Sequence, residues 1–241
     1  MSETINLFIS SRFNGPPGMG NGGFSAGLAA QLIDGPAEVS LRASVPLDTP
    51  LSLVTTHGEH AYECRQGDHL VMTASPAAPL APLPSPPPSL AIARKGRDHY
   101  PPVETHAFPA CFVCGPARTD DGLCIFTGQP DGFDGVADTW MPSEAFEDET
   151  GQIRREVLWA ALDCPGAFAI GFQDRPMVLA RITAEIHARP RAGEEVIVAA
   201  WHLYDEGRKH GAATGLFAAD GTLLAQSEQL WIDLKPPVTA A

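Results

Sequence analysis

The stretch "SPAAPLAPLPSPPPS", residues 75–89, constrains this chain more than any other. Proline fixes φ and lacks an N–H, so seven prolines in fifteen residues exclude both a helix interior and a central strand there and favour an extended polyproline spacer. The chain must therefore build its regular structure on either side. The boundaries that follow are an N-terminal unit over 1–75, a Pro-rich linker over 76–105 and a C-terminal unit over 106–241.

The two sides carry the same order of elements. "GGFSAGLAAQLI" reads as a short helix of small residues closed by "DGP", and "AEVSLRASVPL", "LSLVTTHGEHAYEC" and "HLVMTAS" follow as strands. Beyond the spacer, "EVLWAALDCPGAFAI" reads as a helix, followed by strands in "MVLARITAEIHARP", "EEVIVAAWHLYDE", "KHGAATGLFAADG" and "TLLAQSEQLWIDL". The turns correspond as well, "VPLDTPLSLV" against "ARPRAGEEVIV". This is one helix-plus-meander unit used twice, and each sheet can bury its helix by wrapping around it. Side by side, the two imitate a two-fold dimer within one chain.

Composition narrows the function. A formal charge of −13 opposes a phosphate-tracking groove, so no nucleic-acid partner is expected. No apolar run approaches the length of a membrane span and the N-terminus lacks a secretory pattern, so no membrane association and a cytoplasmic location are expected. The five cysteines then read as reduced thiols before disulfides. Cys111 and Cys114 have CxxC spacing, with Cys124 and His106 nearby, which is zinc-ligand chemistry. A second CxxC or a spaced His pair is missing, and the sequence assigns no metal. His57, His60 and His187 fall on predicted strands. Neither a Gly-x-Ser-x-Gly elbow entered from a strand nor a phosphate loop or dinucleotide fingerprint is present.

Asp163 stands out because it is a carboxylate in the middle of an apolar helix, where it must be paired, hydrogen-bonded or protonated. Pro165 removes the helical donor of the Ala161 carbonyl and is expected to kink the helix beside it. An Asp near Pro-Gly can also be a plain helix-terminating residue.

Three stretches resemble the hotdog-fold thioesterases, specifically a double-hotdog arrangement of the acyl-CoA thioesterase superfamily. "NGGFSAGLAAQL" is similar to the Gly-Gly opening of the central helix in phenylacetate-type thioesterases, and "LWAALD" to the later part of that helix, where the family places a catalytic acid. "CFVCGPARTDDGLCIF" is similar to a Cys-x-x-Cys-Gly with Gly-Leu found in some hotdog proteins. In the family the acid lies eight residues past the first glycine; here that position is Ala30, while the residues eight and seven before Asp163 are Arg155 and Glu156. The first half keeps the glycines without the acid, the second the acid without the glycines.

The resemblance implies an α+β double hotdog, two helix-plus-antiparallel-sheet units forming a pseudo-dimer, with one complete site between them. Its implied activity is hydrolysis of acyl-CoA or acyl-carrier thioesters, with no cofactor beyond the substrate's own coenzyme A. The Gly22 and Gly23 amides would hold the oxyanion at a helix N-terminus. Asp163 would activate water or attack the carbonyl, and Asn21 would cap the helix or orient the thioester. Phe24 is expected to contact substrate. Of three basic clusters, Arg94/Lys95/Arg97, Arg154/Arg155 and Arg208/Lys209, the last is the choice for the coenzyme A phosphates. The partner is a small acyl thioester, with a homo-oligomer possible. The alternative is a catalytically silent acyl-thioester binding or regulatory protein. A hydratase is disfavoured because the family's dehydratases pair the acid with a histidine.

Overall fold

A computed structural model describes residues 4–56, 61–118, 121–173 and 177–234. Among them, the first unit holds β1 (Thr4–Phe8), α1 (Gly22–Ala29), β2 (Ala37–Leu41), β3 (Pro50–Thr55), β4 (Tyr62–Gln66) and β5 (His69–Pro76). α2 (Leu90–Gly96) follows, and the second unit holds β6 (Val136–Trp140), α3 (Arg155–Ala169), β7 (Met177–Ile186), β8 (Val196–Glu206), β9 (Lys209–Ala218) and β10 (Leu223–Asp233). The strands form one antiparallel ten-stranded sheet in the order β1-β3-β4-β5-β2-β7-β10-β9-β8-β6.

That order is its own mirror. β2 and β7 meet at the centre, with Val39 opposite Ile182, and outward from them β5 matches β10, β4 matches β9, β3 matches β8 and β1 matches β6. Each unit is thus one helix on five strands, the double-hotdog arrangement implied by the resemblance. Two details correct the expectation. The units are not simple meanders, because the strand after each helix pairs with the last strand of its unit and not with the next one. Each helix is also preceded by an edge strand, β1 or β6, which the sequence reading omitted; both are only five residues long. Likewise "LSLVTTHGEHAYEC" is two strands, β3 and β4, paired with Thr55 opposite Tyr62. His57 and His60 lie outside the described residues.

The first half of β8, Val196–Trp201, and nearly all of β9 are buried on both faces, which is why they read as apolar runs without alternation, whereas β8 from His202 onward is exposed. The helix side faces the main core. On the other side Ile197, Ala199, Trp201 and Phe217 form a second cluster under Leu83 and Leu90, brought there by the Pro-rich segment and α2. Ser85 Oγ accepts a hydrogen bond from Trp201 Nε1 at 3.0 Å, and the Leu80 amide donates to Glu185 at 3.1 Å. The spacer is therefore a cover for the strands of the second unit as well as a connection, and it carries α2 within residues 76–105.

The turn after α2 is clamped by charge. Arg97 forms a two-point pair with Asp138 on β6, at 2.7 and 3.2 Å, and its guanidinium lies 4.7 Å from the centre of the Phe126 ring. Asp138 is buried, which pushes its carboxyl up, while Arg97 and the Phe126 and Thr139 amides oppose that shift. Arg97→Ala leaves this carboxylate with only the two amides and should lower stability by about 1–3 kcal/mol, measured by denaturant titration. A loss below a few tenths of a kcal/mol would show that the pair is an ordinary surface contact.

The helices α1 and α3 pack against each other, which sets the site. Gly23 and Gly27, one turn apart, allow it: a Cβ on Gly23 would stand 2.4 Å from the Trp159 carbonyl oxygen, and one on Gly27 2.6 Å from Glu156 Cα. α3 runs helical through Pro165 from Arg155 to Ala169. Gln229 on β10 donates to the neighbouring Leu162 carbonyl, packing against Gly166. No described helix is long and apolar enough to cross a membrane.

Candidate active site

α1 begins at Asn21, whose Oδ1 accepts from the Phe24 amide at 2.9 Å, the side-chain cap expected of Asn at this position. The crossing of the helices then places Asp163 against this N-terminus. Asp163 Oδ2 accepts from the Gly23 amide at 2.8 Å and from Asn21 Nδ2 at 3.0 Å, so Asn21 both caps the helix and holds the acid. The Gly22 amide has no hydrogen-bond partner among the described residues, and neither has the second oxygen of Asp163, Oδ1.

Asp163 is 2% exposed. Burial pushes its carboxyl up to about 7; the Gly23 hydrogen bond opposes this, nearby Cys111 adds to it and Asn21 opposes it again. The group lines a cavity of about 430 Å³ whose wall is mostly apolar, with Phe168, Phe172 and Leu179 prominent. Both units contribute: Gly20–Gly22 and residues 41–45 from the first, α3, the start of β7 and the end of β10 from the second.

The other expected residues separate. Arg208, on the turn between β8 and β9, lines the cavity and donates twice to the Asp233 carbonyl, at 2.6 and 3.2 Å. Its neighbour Lys209, the first residue of β9, is exposed and does not line the cavity. Phe24 does not line the cavity either: its ring is 3% exposed and stacks on Phe13 with centroids 3.9 Å apart, edge-on to Phe112. The side chain is spent on the core between the units.

Sequence reading missed Arg42, an exposed cavity residue just after β2; its only local signal was a cation at a strand end. It also missed the partner of the CxxC pair. Cys164, beside Asp163, has its sulfur 3.7 Å from that of Cys111, and the sulfurs of Cys111, Cys114 and Cys164 all lie within 4.8 Å of one another. His106 and Cys124 are engaged elsewhere. His106 Nδ1 accepts from the Phe108 amide and Nε2 bonds Tyr100 Oη, while Cys124 Sγ donates to the Arg118 carbonyl.

No protein-family model matches the chain, and no curated protein matches it. Solved structures do match along the whole length. The chain is similar to the TesB protein of Mycobacterium avium subspecies paratuberculosis, with TM-score 0.60, 14% identity and coverage of 96% of this chain and 93% of that one. It is similar also to the acyl-CoA thioesterase II TesB2 of Mycobacterium marinum, with TM-score 0.59, 12% identity and 97% and 94% coverage. A protein of unknown function with a hotdog fold from Alicyclobacillus acidocaldarius matches with TM-score 0.59, 14% identity and 97% and 94% coverage. At these identities the likeness establishes the fold, a double hotdog over the full chain.

Proposed function

We propose that this double-hotdog protein hydrolyses acyl thioesters, carried by coenzyme A or an acyl carrier, in the cavity between its units. The observation that carries the reading is Asp163: a carboxylate from the second unit, held against the α1 N-terminus of the first, with one oxygen unpartnered inside a mostly apolar cavity. The names of two proteins with the same fold, TesB and acyl-CoA thioesterase II, support the same reaction class.

In this reading the acyl chain lies along Phe168, Phe172 and Leu179, and the thioester carbonyl points at the Gly22 amide. That amide stands at the positive end of α1, where negative charge developing on the oxygen is stabilised. Gly23 and Asn21 orient Asp163. The carboxylate takes a proton from water as the water adds to the carbonyl carbon, and returns it to the sulfur as the thiolate departs. Direct attack by Asp163, giving an anhydride that water then opens, uses the same placement.

The deciding experiment follows loss of thioester absorbance for short, long and aromatic acyl-CoA esters. Turnover supports the proposal and identifies the acyl class; saturable binding of the esters without turnover would leave a thioester-binding protein in its place. Arg42 and Arg208 supply the cations that would meet the coenzyme A phosphates. Replacing either with Ala should raise KM for acyl-CoA about fivefold, equivalent to ~1 kcal/mol, with kcat little changed. The same variants should leave KM for acyl-pantetheine, which lacks the nucleotide phosphates, unaltered. Equal effects on both substrates would remove these arginines from phosphate binding.

A further inference from the structure

We propose that Cys111, Cys114 and Cys164 form a three-thiolate zinc site in the cavity wall beside Asp163, with its fourth position open to the cavity. Zinc takes thiolate sulfur at about 2.3 Å in a tetrahedron, which sets its sulfur atoms about 3.8 Å apart. Cys111 and Cys164 stand at 3.7 Å, and Cys114 completes a triangle of which no edge exceeds 4.8 Å. This spacing lies far outside the S–S bond length of about 2.05 Å, so the trio is disposed around a point and not bonded in pairs.

The backbone is shaped to hold it. Cys111 and Cys114 lie on a tight loop in which the Gly115 amide donates to the Cys111 carbonyl at 2.9 Å. A side chain on Gly115 is excluded, since its Cβ would stand 2.5 Å from the Cys111 nitrogen. Within that loop the Val113 and Cys114 amides donate to Cys111 Sγ. The third sulfur comes from α3, so a cation would tie the loop to the helix that carries Asp163.

The surroundings also favour a cation. All three cysteines are buried and line the same cavity as Asp163, so the side of the triangle away from the loop and helix opens on it. Asn21 Nδ2 spans the two chemistries, 3.0 Å from Asp163 Oδ2 and 3.8 Å from Cys164 Sγ. A water on the fourth position would offer a donor to the unpartnered Asp163 Oδ1. His106 and Cys124 remain outside the ligand set because their polar atoms are already bonded elsewhere. Binding is balanced by release of the three S–H protons to solvent as the thiolates form on Zn²⁺.

The test reads the metal and is independent of hydrolysis. Full-length protein, reduced and loaded with Zn²⁺ without oxygen, is passed over a chelating column and its zinc is counted. Retention near one zinc per chain is expected, with Cys111, Cys114 and Cys164 shielded from an alkylating reagent until a strong chelator removes the metal. Cobalt in place of zinc should give the intense near-ultraviolet thiolate charge-transfer band of a tetrahedral site. Cys111→Ser and Cys164→Ser should weaken zinc binding by about a hundredfold or more, whereas Cys64→Ser and Cys124→Ser should retain it. Where a variant fails to fold, the alkylation pattern of the native chain decides. No retained zinc, alkylation of Cys111, Cys114 and Cys164 that loading leaves unchanged, or a Cys111–Cys164 disulfide that persists under reduction would each overturn the proposal.

Discussion

Replacing Asp163 with Asn should lower turnover of the best acyl-CoA substrate by about 10²–10⁴-fold, the usual contribution of a placed general base. Asparagine has the same shape, and its Oδ1 accepts from Gly23 and Asn21 as the carboxylate does, so the contacts that hold residue 163 survive. Folding stability should stay within about 1 kcal/mol of the native chain, because no cavity opens and a buried charge is removed. KM should move little. The split between kcat and stability is diagnostic: if Asp163 were only a structural residue of α3, turnover would track the fraction folded. Undiminished kcat in a fully folded Asp163→Asn protein would remove this residue from the reaction.

Gly23→Ala should have the largest effect on stability. In an isolated helix this change is favourable by up to about 1 kcal/mol. Here the added methyl falls 2.4 Å from the Trp159 carbonyl oxygen and 2.6 Å from Asp163 Cβ, and a backbone oxygen within a helix cannot swing aside. α1 and α3 must part, which disturbs both units at once. A loss of about 3 kcal/mol, or a fall in Tm of about 5–10 °C, is expected. Gly22→Ala is the control one residue away: its methyl meets chiefly the Leu179 side chain, at 2.9 Å, which can adjust. That variant should fold with a change of about 1 kcal/mol or less and show its defect in turnover, because the methyl intrudes on the cavity beside the Gly22 amide. Equal stability losses in the two variants would show that the helix crossing is not held at Gly23.

The repeated order of elements, the positions of α3 and β7–β10, the Asn21 cap and the split of glycines and acid between the halves all belonged to the sequence. Each is written in local periodicity or in a side chain that bonds to its own near neighbours. The edge strands β1 and β6 were not legible because five-residue segments beside loops carry too little alternation. Whether Phe24 faced the core or the cavity depended on Phe13 and Phe112, which tertiary structure alone brings to it. Gly23 is expected from the sequence as an oxyanion donor beside Gly22, whereas in the structure its amide bonds Asp163 and its missing side chain admits the backbone of α3. The thiol trio joins residues 53 positions apart, and the Gly23–Asp163 bond joins residues 140 apart. The first distance was closed by the folding of the 111–115 loop onto α3 within the second unit, and the second by the β2–β7 junction and the helix crossing, so only tertiary packing could decide which side chains met there.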